Sequence, residues 1–324
     1  MTDGIFLGDV SERDKPWDTH RRQVELVQAL YAGTDYKRYA ERLNTCSELL
    51  GFDWRANDSG EIGLKLQTAR FCRVRHCPVC QWRRSQMWRA RFYQAVPKIL
   101  EQHLNHRFIF LTLTVQNCEV NELRSTIDRM NSAWSKLRRR KVFPAAGFLK
   151  ALEVTRNSDL LSASFGTAHP HFHVLLMVHE RYFDGRNYIS QAKWRELWQS
   201  CLGVDYLPVV NVKAVKPKPG QEYDSALRSA LTETLKYSVK PADLIGAGGS
   251  NQEQDREWLL TLTEQLQGTK GISVGGFLKQ YISEEEPGDL IHSDDVQENE
   301  KSNNPEIHFG WKKDVKRYKS VNKN

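Results

Sequence analysis

No apolar run in the sequence is long enough to cross a bilayer. The longest, Ile109 to Val115 and Val174 to Val178, fall far short of the roughly 18 residues a span needs, and charged residues flank them. Nor does a basic start followed by an apolar core precede Pro16; Asp3, Asp9, Glu12 and Asp14 occupy that stretch. A secretory leader is therefore not expected, and the protein should work in the cytoplasm without a membrane partner. Cysteine is scarce, at 6 in 324 residues. In a reducing compartment so few thiols do not make a disulfide framework, which leaves metal ligation or core burial. No repeat period of about 20 to 50 residues is visible, which excludes a solenoid. Between Arg70 and Arg91 acidic residues are missing altogether.

With 27% charged and 40% hydrophobic residues, the chain has the make-up of one large folded domain or two modest ones. Its net charge of +7 is unevenly spread, and a polyanion responds to the distribution. Arg70, Arg73, Arg75, Arg83, Arg84, Arg89 and Arg91 crowd one stretch with Phe71, Trp82 and Trp88, a composition suited to phosphates and exposed bases. A second basic knot runs from Lys136 to Lys141, and Lys213 to Lys218 reads as an extended basic loop. Ser283 to Asn304 is the reverse. Its acidic run from Glu284 to Glu300 and its few apolar anchors predict a solvated, largely disordered segment, followed by a basic end.

Alternation predicts strands over Phe108 to Val115, Phe148 to Thr155 and His171 to Val178. Helices are expected over Val120 to Lys141, over Asn251 to Leu266, and over Asp224 to Lys240, where Leu227, Leu231, Leu235 and Val239 form a stripe and Pro241 is a stop. Strands interspersed with helices in this way predict an α+β fold with an antiparallel sheet.

His169, His171 and His173 alternate at the start of the third strand. Strand residues two apart share a face at roughly 6.5 Å, so two imidazoles can meet one cation. Glu153, on another expected strand, would complete a set of His171, His173 and a carboxylate. Mixed nitrogen and oxygen ligation with open positions suits Mg²⁺ or Mn²⁺ held together with a phosphate oxygen. The plainer alternatives are strand-edge histidines that only hydrogen-bond and a glutamate in a surface ion pair.

Glu233 and Tyr237 lie four apart on the expected helix, hence on one face, with Lys236 and Lys240 nearby. A tyrosine there can act as a nucleophile if a cation polarises the phosphate it attacks; otherwise it is a packing residue. Cys72, Cys77 and Cys80 form C-x4-C-x2-C, and either Cys46 or His76 could complete a structural Zn²⁺ site. Reduced core cysteines are the alternative, although Pro78 and the basic neighbours make a poor core segment.

Three blocks then resemble a known family. Phe110-Leu-Thr-Leu-Thr-Val115, His169-Pro-His-Phe-His-Val-Leu-Leu176 and Glu233-Thr-Leu-Lys-Tyr-Ser-Val-Lys240 are similar to the three motifs of single-tyrosine rolling-circle plasmid replication initiators (Rep proteins) of the HUH endonuclease superfamily. The resemblance covers roughly residues 40 to 280. It implies a strand-specific endonuclease that nicks a plasmid double-strand origin, presented as single-stranded or hairpin DNA. In it, His171 and His173 match the metal pair, Tyr237 the nucleophile that forms a 5′-phosphotyrosine and frees a 3′-hydroxyl primer, and Glu233 the carboxylate that activates water at termination. It also implies a five-stranded antiparallel sheet related to RNA-recognition and ferredoxin-like folds, a host helicase and a DNA polymerase as partners, and leaves room for a homodimer. Tyr237 follows the histidines, an order that favours replication over conjugative relaxases.

The expected organisation is a helical, zinc-binding, DNA-contacting region over 1–100, an HUH domain over 101–282 and an acidic tail over 283–324. Arg70, Arg73, Arg75, Arg83, Arg84, Arg89, Lys236 and Lys240 are the expected DNA contacts. Two other readings use the same residues: a single-tyrosine transposase of the superfamily, and a zinc-containing DNA-binding regulator without catalysis.

Overall fold

The computed structural model describes residues 4–56, 60–235, 239–245, 251–283 and 306–321. In chain order it has α1 (Leu7–Val10), α2 (Pro16–Tyr31), α3 (Lys37–Asn44), β1 (Leu49–Ala56), β2 (Ile62–Ala69), α4 (Pro78–Gln102), β3 (His106–Thr114), α5 (Leu123–Arg138), β4 (Ala145–Arg156), β5 (Ala168–His179), α6 (Gln191–Leu202), β6 (Val210–Ala214), α7 (Tyr223–Thr234), α8 (Pro241–Ile245), α9 (Gln252–Gln265), β7 (Ile272–Gly276), β8 (Ile307–Lys312) and β9 (Arg317–Val321). The chain divides into two compact units, Met1–Ala90 with Pro287–Asn324, and Arg91–Glu286. None of the described helices is long and apolar enough to cross a membrane.

In the first unit, α2 starts on Pro16, whose fixed φ suits a first helical position. It buries Trp17, Arg21, Val24, Val27 and Tyr31, a stripe at spacings of three and four. The four-stranded sheet runs β2-β1-β8-β9. Its second half departs from the expected tail. Residues from Ile307 onward form an antiparallel hairpin that pairs with β1 through Leu50 and Phe309. Buried Phe309, Trp311 and Tyr318 anchor this hairpin. The Tyr318 amide donates to Asp18 at 2.9 Å, its hydroxyl donates to the Ser47 carbonyl at 2.6 Å, and the Trp311 indole donates to Glu25 at 2.7 Å. Apolar alternation in a short run outweighs the acidic composition that precedes it; the acidic run itself lies outside the described residues.

The second unit carries a five-stranded antiparallel sheet in the order β6-β3-β5-β4-β7. The central strands β4 and β5 are buried along almost their whole length. Phe172 faces Trp198 of α6, and Phe148 packs edge-on against Trp134 of α5, so those two helices cover one face. The three expected strands, and helices close to Val120–Lys141 and Asn251–Leu266, are present. Asn251 caps α9 in a reciprocal box with Gln254. Two expectations change. Val210–Ala214, overlapping the expected loop, is an edge strand on β3. The helix expected to reach Lys240 ends at Thr234, and Pro241 opens α8 instead of terminating α7, in keeping with the preference of proline for a first helical turn.

Candidate active site and metal centres

Antiparallel pairing sets Glu153 of β4 directly opposite His171 of β5, and His173 follows two residues along on the same face. Three side chains from two strands thus converge without any loop. Both Nε2 atoms point at a single carboxylate oxygen, Glu153 Oε2, at 3.2 Å from His171 and 2.8 Å from His173. All three side chains are buried, and the imidazole rings meet edge to face, 4.8 Å apart. His173 also stacks on Phe110, with its Nδ1 3.4 Å from the Thr112 hydroxyl. His169 alternates with them but is engaged by Asn117 at 2.8 Å and is not part of the group.

The polar chemistry of this group fits a cation. His171 Nδ1 lies 3.2 Å from the His169 carbonyl, which can only accept, so that nitrogen carries the ring proton. A neutral His171 therefore turns a bare Nε2 lone pair toward an acceptor oxygen. A proton or a metal ion between them removes the conflict, and the second imidazole offers the same oxygen a further nitrogen. Burial raises the Glu153 pKa, but with a proton between each imidazole and the carboxylate, hydrogen bonds from His171 and His173, together with the Lys240 ammonium, outweigh it and hold the carboxyl well below its usual range. The group remains an anion, as a ligand set for a divalent ion requires.

Lys240, expected as a DNA contact, places its ammonium 3.0 Å from Glu153 Oε1 and so belongs to this centre as well. Burial lowers its pKa, yet the charges of Glu153, Asp243 and Glu233 raise it overall. Glu233 is exposed near the end of α7 and within electrostatic reach of Lys240. Tyr237 and Lys236 lie outside the described residues, so the one-turn spacing of Glu233 and Tyr237 rests on the sequence. Asp243 accepts from the Arg156 amide at 3.4 Å, and the Arg156 guanidinium pairs with Asp255 at 2.6 Å. These contacts fasten α8 and α9 to the end of β4 that carries Glu153. Sequence reasoning missed Asp243 and Asp255, because a carboxylate on a helix carries no local sign of a partner about a hundred residues away.

The first unit holds the second cluster. Cys46, after α3, meets Cys72, Cys77 and Cys80 with all four sulfurs within 4.8 Å of one another. Cys46 lies 3.6 Å from Cys77 and 3.7 Å from Cys80, and Cys72 lies 3.6 Å from Cys80. None is in a disulfide. Cys46, Cys72 and Cys77 together with the Arg73 amide hold the Cys80 thiol well below its ordinary pKa. Arg73 adopts φ of 55° to aim that amide at the sulfur, 3.3 Å away. His76, the rival fourth ligand, is fully buried outside the cluster, and neither ring nitrogen has a hydrogen-bond partner among the described residues. Burial and the Arg75 charge push its pKa down to about 3.

Comparison with known proteins agrees with the motifs. The family model described as "Replication protein" matches residues 63–319. The "Protein rep" of Lentilactobacillus hilgardii is 37% identical over 300 residues, 90% of each chain. That of Lactiplantibacillus plantarum is 38% identical over 87% of each chain, and that of Bacillus amyloliquefaciens 32% identical over 94% of each. The chain belongs to the Rep family of replication proteins. No solved structure matches it. The resemblance to plasmid replication initiators noted in the motifs is therefore borne out.

In this Rep protein the basic stretch splits by role. Arg70 and Arg73 are exposed, and Arg75, Arg84 and Arg89 are half-buried. Arg83 departs from the expected DNA contacts: it is 3% exposed, and its guanidinium lies over the rings of Trp17 and Trp82 at 5.5 and 5.8 Å. Cation–π contact uses the charge inside the unit. Trp17 is the partner that residue spacing within the arginine stretch could not reveal.

Proposed function

We propose that this Rep protein initiates plasmid rolling-circle replication by nicking one strand of the double-strand origin. The observation that carries the reading is the convergence of His171, His173 and Glu153 on one point, on the strand pair expected to bear it. The Tyr237 oxygen attacks the scissile phosphorus, the bond to the 3′-oxygen breaks, and that oxygen takes up a proton. The products are a 5′-phosphotyrosine and a 3′-hydroxyl primer. His171, His173 and Glu153 would hold Mg²⁺ or Mn²⁺, which supplies positive charge to the phosphate so that an aryl oxide can approach it. Lys240 keeps its ammonium beside Glu153 and adds a second positive charge next to the reacting group. Glu233 serves as the base for the water that ends a round while Tyr237 is occupied.

The fold is read as an HUH domain related to RNA-recognition and ferredoxin-like sheets. The cysteine cluster is read as a structural Zn²⁺ site. A tetrahedron with Zn–S bonds of about 2.3 Å has edges of about 3.8 Å; Cys46–Cys77, Cys46–Cys80 and Cys72–Cys80 stand 3.6 to 3.7 Å apart, and all four sulfurs lie within 4.8 Å of one another. Exposed Arg70 and Arg73, with Arg75, Arg84 and Arg89, bind the phosphates of origin DNA whose single-stranded or hairpin form exposes its bases. In the cytoplasm a host helicase would unwind the duplex and a DNA polymerase would extend the primer, and a homodimer could pair two such centres.

Denaturing electrophoresis of the protein with origin-derived single-stranded DNA and Mn²⁺ tests this reading. A covalent adduct is expected from wild type and none from Tyr237→Phe. Origin binding without any covalent product would favour a non-catalytic regulator.

A further inference from the structure

The face of the sheet opposite the two histidines carries another polar feature. By strand alternation Lys150 and Phe172 point away from Glu153, His171 and His173. Between α5, β4 and the edge strand β7 lies a half-open cleft of about 500 Å³. Lys150 forms its floor and is 7% exposed. Its ammonium donates to Asn131 Oδ1 at 2.8 Å and sits 3.8 Å from the centre of the Phe172 ring. Ser273, its cross-strand partner, lies beside it. Arg138, Lys270 and Lys279 stand around the cleft, and no Asp or Glu lines it among the described residues.

The glycines of β7 shape this cleft. A Cβ at Gly275 would come within 2.1 Å of the Phe148 ring, so the missing side chain lets that ring lie across the edge strand. Gly276 has φ of 61°, and a Cβ there would meet the Ala146 carbonyl at 2.1 Å. Trp134 and Phe148 supply an apolar wall.

An ammonium this deeply buried, with no carboxylate partner among the described residues, is costly to keep charged. Burial, with the charges of Arg138 and Lys270, lowers its pKa to about 8. An anion in the cleft would offset both burial and repulsion. We propose that this cleft is a binding site for a phosphate group, carried by a nucleotide or by a DNA strand. Lys150 and Ser273 would hold the inner oxygens, and Arg138, Lys270 and Lys279 the outer ones. The cleft is larger than phosphate alone requires, which leaves room beside Trp134 and Phe148 for an attached sugar or base. The site is separate from the nicking centre and does not depend on the reading of that centre.

Titration calorimetry of the full chain, without added divalent cation, tests the proposal with pyrophosphate, thymidine triphosphate and a short 5′-phosphorylated oligothymidylate. Wild type should bind pyrophosphate, and Lys150→Met should weaken it at least tenfold, the loss expected for one charged hydrogen bond. Lys270→Glu changes an exposed residue around the cleft and should weaken binding by a similar factor, with the melting temperature measured beside it to show that the variant is folded; it decides the matter if Lys150→Met fails to fold. A loss shared by the triphosphate but not the oligonucleotide identifies free nucleotide as the ligand, and a loss shared by the oligonucleotide identifies DNA. No pyrophosphate binding at millimolar concentration, or unchanged binding in Lys270→Glu and in a folded Lys150→Met, overturns the proposal.

Discussion

Four sulfurs enclose one cluster on all sides, and Cys46, Cys77 and Cys80 have no exposure at all. In the other, one carboxylate and two imidazoles supply three ligand atoms, and the histidine side chains keep 11% of their surface. A tetrahedral ion in the first has no position left for substrate, whereas an ion that prefers six oxygen or nitrogen ligands in the second has several. The first is suited to holding a fold and the second to reacting. The way each is assembled agrees with this. The cysteines come from the turn after α3, the irregular segment after β2 and the first turn of α4, while Glu153, His171 and His173 come from two strands paired by backbone hydrogen bonds.

Breaking the open centre should produce the largest effect. Tyr237→Phe is expected to abolish the covalent adduct with origin affinity nearly intact, because one hydroxyl and no charge is lost. His171→Ala or His173→Ala should slow nicking by about 100-fold or more, and excess Mn²⁺ should recover only part of it. A gel-based rate for each variant checks both, and full activity of the double histidine variant in chelator would remove the metal from the account.

Breaking the closed centre should read out elsewhere. Cys77→Ser or Cys80→Ser is expected to lower stability, on the order of 3 kcal/mol, and to weaken origin binding while nicking of short single strands continues. Thermal melts beside a nicking assay make the separation visible. Glu233→Ala sharpens the comparison within the open centre. It should still form the adduct but fail to terminate, giving over-length single-stranded plasmid; normal termination would pass the second step to another chain's tyrosine.

The smallest effect is a pH dependence confined to the first unit. Burial holds His20, stacked on Trp82 at 4.7 Å, down at about 4. Unfolded His protonates near 6.5, so between those values the unfolded chain binds more protons. Its contribution is complete above about 6.5 and is lost as pH falls through about 4. Replacing it with Phe should flatten that acid limb by roughly 1–2 kcal/mol, as read by denaturant titration across that range.

Much of the second unit could be read from the chain because its signals are local. Alternating histidines in a strand, Leu227 and Leu231 at helical spacing, and Asn251 ahead of Gln254 each act within one element. The hairpin from Ile307 to Val321 was hidden because its meaning lies in partners near the other end of the chain, Asp18, Glu25 and Ser47. Arg83 was misplaced for the same reason: a guanidinium in a basic run looks like a phosphate ligand until Trp17 comes under it. Glu153 stood between these cases, being one glutamate in an apolar strand until register set it opposite His171.

Selective chelation is the most direct test of the division between a closed and an open centre. Dialysis of the purified protein against a mild chelator, followed by elemental analysis and an adduct assay on origin-derived single-stranded DNA, should leave about one equivalent of zinc per chain, abolish the adduct, and restore it on addition of Mn²⁺ alone. An adduct that survives chelation at the wild-type level, or a zinc content that falls in step with activity and must be replenished to recover it, would contradict the account.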